Sequence, residues 1–265
     1  MRYIAVFLSV ATFVSCNLEK PSFGEADNFQ LAVPGLKVDS VLFKNSSKVT
    51  MNFGHPNSEI RYTIDGKEVG TDSPIYNGPL TLDHSATIKA KAFHSDFKSS
   101  EQAMIQVTQI ANNIANASIE LSPEPHENYK GLGATGLIDM QKGGLQFRSG
   151  KQWLGFQDSS VTITLDLLSE MPLSLIKVSS LQNQGGWIFA PKKITVYSKS
   201  RQIGEITLDD AAKKQEYQLK IISVPLVAGN YSKLKIVVNT LNEIPEWHQG
   251  KGTLPWLFLD EILVE

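Results

Sequence analysis

The chain has 265 residues, 42% hydrophobic and 20% charged, which is too apolar for a disordered polypeptide and long enough for one large or two medium domains. Twenty-five Lys and Arg stand against 27 Asp and Glu, a formal charge of -2, so there is no basic field to hold the phosphates of a nucleic acid. A single cysteine, Cys16, excludes an internal disulfide framework and any thiolate cluster for zinc or iron–sulfur.

Arg2 precedes an apolar stretch, Ile4 to Val14, that is too short to cross a bilayer and has the length of a secretory h-region. The small Ser15 leads into Cys16, and Val14-Ser15-Cys16 resembles the lipobox of bacterial lipoproteins, with Phe13 in place of the usual leucine. The resemblance implies that residues 1–15 are a cleaved signal and that Cys16 carries diacylglycerol. Each buried methylene of an acyl chain contributes about 0.8 kcal/mol, enough for several chains to hold the protein on a membrane. The expected location is the bacterial cell envelope, lipid-anchored at the outer membrane. An ordinary signal peptide with an incidental cysteine is the alternative. Residues 16–30, with Pro21, Gly24 and mixed charge, read as a tether.

From residue 31 to 110 the pattern has period two. Val49, Met51 and Phe53, then Ile60, Tyr62 and Ile64, then Ile88, Ala90 and Ala92 alternate with polar residues, as half-buried antiparallel strands do. Asp65-Gly66 is a turn signal that predicts a hairpin. With no apolar residues at helical spacing, the segment reads as a sandwich of immunoglobulin size. Three ordered motifs carry a resemblance: Glu59 to Gly66 with its Tyr-Thr-x-Asp-Gly, Ser73 to Leu80 with its Ser-x-x-Tyr, and Ala86 to Phe93 with its Ile-x-Ala. They look like the chitobiase/β-hexosaminidase C-terminal domain, an immunoglobulin-like accessory module without chemistry of its own. Val69 stands near a common proline of that family. Tyr62 and Tyr76 are better placed for packing than for stacking on sugars.

Residues 111–128, rich in Asn and Pro, read as a linker. Beyond it lie all four tryptophans and renewed alternation at Val161 to Leu167, Ile194 to Val196 and Leu234 to Val238. Trp256 to Val264 is apolar at nearly every position, which predicts a central strand covered on both faces. Strands of this number over residues 129–265 suit a two-sheet jelly roll. The predicted fold class is all-β: two β-sandwiches, an immunoglobulin-like module followed by a galactose-binding-like jelly roll.

Gly136-Leu137-Ile138-Asp139, Trp153-Leu154-Gly155-Phe156, Trp187-Ile188-Phe189-Ala190-Pro191 and Asp260-Glu261-Ile262 are similar, in that order, to the discoidin or coagulation-factor type C domains. Met140 replaces a glycine of that family. The version at the end of some bacterial family 20 hexosaminidases has the further likeness of Pro245 to Gly252. The resemblance implies a structural calcium at the positions matching Asp139 and Glu261. Calcium takes six to eight oxygens, so carbonyls of the Asp139 to Gly144 loop would complete the shell. The bland alternative has Asp139 capping a turn and Glu261 in solvent.

Sugars present flat C–H faces ringed by hydroxyls, so a lectin-like site needs an exposed aromatic flanked by charged or amide groups. The loop Glu243 to Pro255 supplies Trp247 and His248; the amide-rich loop Gln182 to Trp187 supplies Gln184 and Trp187; Arg148 and Gln152 join if their loop folds over the same end. Trp153 and Trp256 read as core or rim. No nucleophile elbow, phosphate loop or zinc helix occurs, and Asp260-Glu261 on a regular strand would point to opposite faces. The chain reads as a non-enzyme: a carbohydrate-binding envelope lipoprotein that captures glycans or serves glycan-degrading enzymes, with a glycan, the membrane and a glycosidase as expected partners. The alternative is a structural or protein-interaction lipoprotein whose modules bind no sugar.

Overall fold

The computed structural model describes residues 29–148, 151–208 and 217–265. The segments expected to be a signal peptide and a tether, with Cys16, lie outside the described residues up to residue 28. Apart from single turns of 3-10 helix, the regular structure among these residues is strand. No helix among them is long and apolar enough to cross a membrane.

The first sandwich contains β1 (Gly35–Val38), β2 (Leu42–Phe43), β3 (Ser47–Asn52), β4 (Glu59–Thr63), β5 (Leu80–Leu82), β6 (Ala86–Phe93) and β7 (Ala103–Gln109). One sheet has the order β1-β3-β5, the other β2-β7-β6-β4. Alternation decides the faces: Ala86, Ile88, Ala90 and Ala92 of β6 are buried while their neighbours are half-exposed. Phe43, Val49, Met51, Ile60, Leu82, Ile88 and Val107 fill the core, each large aliphatic contributing about 1.5–3 kcal/mol. Tyr62 and Tyr76 pack edge to face against this core, with ring centroids 6.4 Å apart.

Gly66 adopts the positive φ of 77° expected at the Asp65-Gly66 turn. The hairpin itself differs from expectation, because β4 pairs in register with β6 and the chain returning from the turn touches β4 only at a bridge between Ile75 and Arg61. The intervening loop is too long to keep a ladder. Val69, near the family's proline, donates its N–H to Gln102 Oε1 (3.2 Å), a bond that proline lacks.

The second sandwich contains β8 (Ser118–Ser122), β9 (Leu154–Phe156), β10 (Ser160–Gln182), β11 (Lys193–Ser198), β12 (Arg201–Thr207), β13 (Gln218–Asn239) and β14 (Leu257–Val264). β8 falls inside the stretch expected to be linker and corrects that boundary: it pairs with β10 through Ser122–Thr162 to Ser118–Asp166, and Leu121 joins the core. Its alternation is too short to stand out among the surrounding Asn, Ser and Pro.

β10 and β13 are long enough to serve both layers. Their pairing is interrupted between Asp166 and Met171, where Leu168 takes a φ of 67°, and each strand bends there from one layer into the other. One layer combines β8, β11 and β12 with the first half of β10 and the last half of β13. The other combines β14 and β9 with the remaining halves. Val161, Ile163, Leu165, Ile176, Val178, Ile236 and Val238 fill the space between them.

β14 lies between β10 and β9, and all eight of its residues are buried. Leu257, Leu259, Ile262 and Val264 face the core between the layers. Phe258 packs with Phe147, Trp153 and Ile188 on the outer face, and Leu263 meets Leu42 and Ile110 of the first sandwich. The first sandwich therefore covers part of this layer's outside.

Candidate functional site

β10 ends at Gln182, and the chain turns at once. Asn183 and Ile188 exchange backbone bonds (2.9 and 3.0 Å), and Asn183 Oδ1 accepts from Gly186 N–H (3.0 Å). This tight loop leaves Trp187 with a left-handed φ of 65°. The second loop closes on itself: Gly252 N–H donates to Ile244 O, Ile244 N–H to Thr253 O, and Thr253 Oγ1 to Gly250 O (2.7 Å).

His248 joins the two loops. Its Nδ1 accepts from Gly250 N–H (3.0 Å), which leaves Nε2 to donate to the carbonyl of Gln184 at 2.8 Å. The ring is buried and stands edge-on to Trp187, Phe189 and Trp247 at centroid distances of 6.0, 5.7 and 5.5 Å. Gly250 lies close under Trp187: a Cβ there would sit 3.1 Å from the ring, a tight contact that the indole would have to ease by a few tenths of an ångström.

These contacts sort the residues expected to bind ligand. Trp247 is 38% exposed and Trp187 half-buried, whereas His248 and Gln184 lie beneath them. Both nitrogens of His248 are taken up inside the protein, so it supports the surface instead of contacting a ligand. Exposed Gln249 and the Lys251–Glu246 ion pair (2.9 Å) flank Trp247. Arg148 is exposed, its guanidinium 5.2 Å from the Phe147 ring, within the aromatic cluster that includes Ile188 and Trp256. The result is a shallow aromatic shelf with charged and amide groups at its edge. A cleft of about 620 Å³ lies elsewhere, between the two sandwiches.

Asp139 and Glu261 do converge. The pairing of β14 with β10 slips between Ser179 and Ser180, leaving Asp260 as an extra residue. The core-facing positions switch there from odd (Leu257, Leu259) to even (Ile262, Val264). Asp260 and Glu261 consequently both reach the loop following Asp139, which overturns the expectation of opposite faces. Glu261 Oε1 accepts from Met140 N–H (3.2 Å), and Asp260 Oδ2 from Lys142 Nζ (2.7 Å) and Gly143 N–H (2.6 Å). The sequence pointed to Asp260 only as the neighbour of Glu261 on the opposite face and did not point to Lys142; two adjacent carboxylates in an otherwise apolar strand were the available signal.

Glu261 is fully buried, and desolvation followed by the nearby Asp139 and Asp260 charges pushes its carboxyl up to about 8, against the Met140 hydrogen bond. Burial likewise raises Asp139, whose Oδ1 accepts from Gln141 N–H (2.8 Å). Asp139 Oδ2, Asp260 Oδ1 and Glu261 Oε2 have no hydrogen-bond partner. Among the described residues no three His, Cys, Asp or Glu side chains form a ready-made metal group. These three buried, unpartnered carboxylate oxygens nevertheless have the donor chemistry of a hard-cation site. Met140, where the discoidin-like family has glycine, holds a left-handed φ of 67°.

Part of the chain is placed by comparison. Residues 39–104 match the family described as the chitobiase/beta-hexosaminidase C-terminal domain. Solved structures resembling the chain include the C-terminal domain of a chitobiase from Bacteroides fragilis (16% identity, 58% of this chain and 95% of that one, TM-score 0.37). A fucose-binding module from Streptococcus pneumoniae has 15% identity over 58% of this chain and 97% of that one, with a TM-score of 0.39. The lectin domain of lectinolysin, complexed with Lewis B antigen, has 13% identity over 59% and 97%, also at 0.39. Among curated proteins nothing matches the chain.

Proposed function

We propose that the protein is a non-catalytic, lipid-anchored carbohydrate-binding protein of the bacterial envelope. The exposed Trp247 on a shelf braced by His248 carries this reading, because an aromatic face at a rigid loop tip stacks on the C–H face of a sugar ring. Trp187 widens the shelf, and Gln249, Glu246 and Lys251 supply donors and acceptors for hydroxyls. The family match over residues 39–104 supports an accessory role beside glycan-degrading enzymes. Asp260 and Glu261 are sealed under their loop and do not form the open carboxylate pair of a glycosidase.

Asp139 and Glu261, with loop carbonyls, would hold a calcium ion. It would neutralise the buried carboxylates and brace the loop that packs on Trp153. Cys16 would carry the acyl chains that fix the molecule at the outer membrane.

A glycan array probed with the chain lacking residues 1–16 tests the binding reading. Binding should fall about tenfold with Trp247→Ala or Trp187→Ala, the loss of roughly 1–2 kcal/mol of stacking. Silence across a broad set of glycans would instead favour a structural or docking lipoprotein.

A further inference from the structure

We infer that Met140 links the Asp139–Glu261 cation site to the joint between the two sandwiches, so that calcium binding stiffens the two-domain molecule. The inference rests on the calcium reading above, and its test separates the two.

Met140 belongs to both places at once. Its backbone N–H donates to Glu261 Oε1 at 3.2 Å, and its side chain packs with Val41, Leu42 and Ile110 of the first sandwich and with Leu263 of β14. A non-glycine residue is strained in the left-handed region, where its Cβ crowds the backbone carbonyl. Glycine would avoid that strain but would leave the joint without its methionine. The position thus retains an unfavourable backbone conformation together with an apolar contact between domains.

The rest of the joint is built on the same strand end. Leu263 lies two residues beyond Glu261. Ala111 N–H donates to Glu265 Oε2 (3.0 Å) and Asn112 Nδ2 to Val264 O (3.1 Å), so the connecting segment is sewn to the end of β14. Lys142, Gly143 and Leu145 form one wall of the interdomain cleft, whose opposite wall includes Met104 and Ile105. Without a cation, the protonated Glu261 is tied to the loop through the Met140 N–H and has no charge attraction to Asp139. A divalent ion would take the place of the Glu261 proton, join the two carboxylates and hold Met140 against Leu42.

Coupling is reciprocal, so weakening the joint must weaken calcium binding. The chain from residue 16 with Cys16→Ser serves as parent. Leu42→Ala, remote from the carboxylates, should lower calcium affinity about fivefold or more by calorimetry. Spin labels at Ser95→Cys and Ser200→Cys should give a distance distribution that narrows in calcium relative to EGTA. With Met140→Gly, which spares the carboxylates, calcium should still bind while the distribution stays broad. Calcium binding to the parent without narrowing, unchanged affinity in Leu42→Ala, or narrowing in Met140→Gly equal to the parent would each overturn the coupling alone. Failure of the parent to bind calcium would overturn the cation site and the coupling with it.

Discussion

The imidazole of His248 stands 2.8 Å from the carbonyl of Gln184 and ties the loop bearing Trp247 to the loop bearing Trp187. Removing it leaves the Gly250 N–H without its acceptor, a cost of about 1–3 kcal/mol for a buried group, and takes from the Gln184 carbonyl the bond that crosses between the loops while its bond from Trp187 N–H remains. His248→Ala should therefore lower the thermal midpoint and weaken glycan binding together, although the histidine touches no sugar. A variant with full affinity would show that the two loops position their tryptophans independently.

Chelator-treated protein should lose stability as pH rises. Folded Glu261 keeps its proton up to about 8, while an unfolded glutamate releases it near about 4.3. Between those values the folded state binds more protons, so unfolding free energy falls with pH, by at most about 1.4 kcal/mol per unit for this group, and levels off above about pH 8. Asp139, raised by burial, shifts in the same direction. Urea titrations should show a shallower slope in Glu261→Gln; an identical slope would place the effect elsewhere.

Gly143→Ala tests the packing beneath the carboxylate loop. A Cβ at this position would meet the Trp153 ring at 2.6 Å. Either Trp153 loses its Nε1–H bond to Gly144 O or the loop moves away from Asp260, at a cost of about 1–3 kcal/mol. The melting temperature should fall, with the near-ultraviolet tryptophan signal altered. An unchanged spectrum and midpoint would mean the loop yields freely.

Cys16→Ser should move the protein from the membrane fraction to the soluble one, and intact-mass measurement should lose the acyl increment. Persistent membrane association of the unacylated variant would require an anchor other than Cys16.

Strand existence was largely legible because half-buried strands write their burial into alternate residues, as at Ala86, Ile88, Ala90 and Ala92. The central place of β14 followed from its lack of polar positions. That same uniformity hid the bulge: with Leu, Phe, Ile and Val on both faces, no change of phase is visible around Asp260. The convergence of Asp139 with Glu261 was reached through family likeness, whereas Lys142, whose ammonium counters Asp260, announces itself only through distance. In the binding loops, composition identified the aromatic residues but not their depth. Which of Trp247 and His248 points outward depends on the bonds to Gly250 and Gln184, set by a loop that packs 64 residues away in sequence.

The insertion of β14 between β10 and β9 also dictates the order of assembly. β9 has no ladder, and the second half of β10 lacks its neighbour on that side, until Leu257 to Val264 are made, so this layer cannot close during synthesis of the residues before them. The same delay exposes Trp153, Phe156 and the apolar rows of β10 to aggregation, which makes timely release of the final strand a condition for yield.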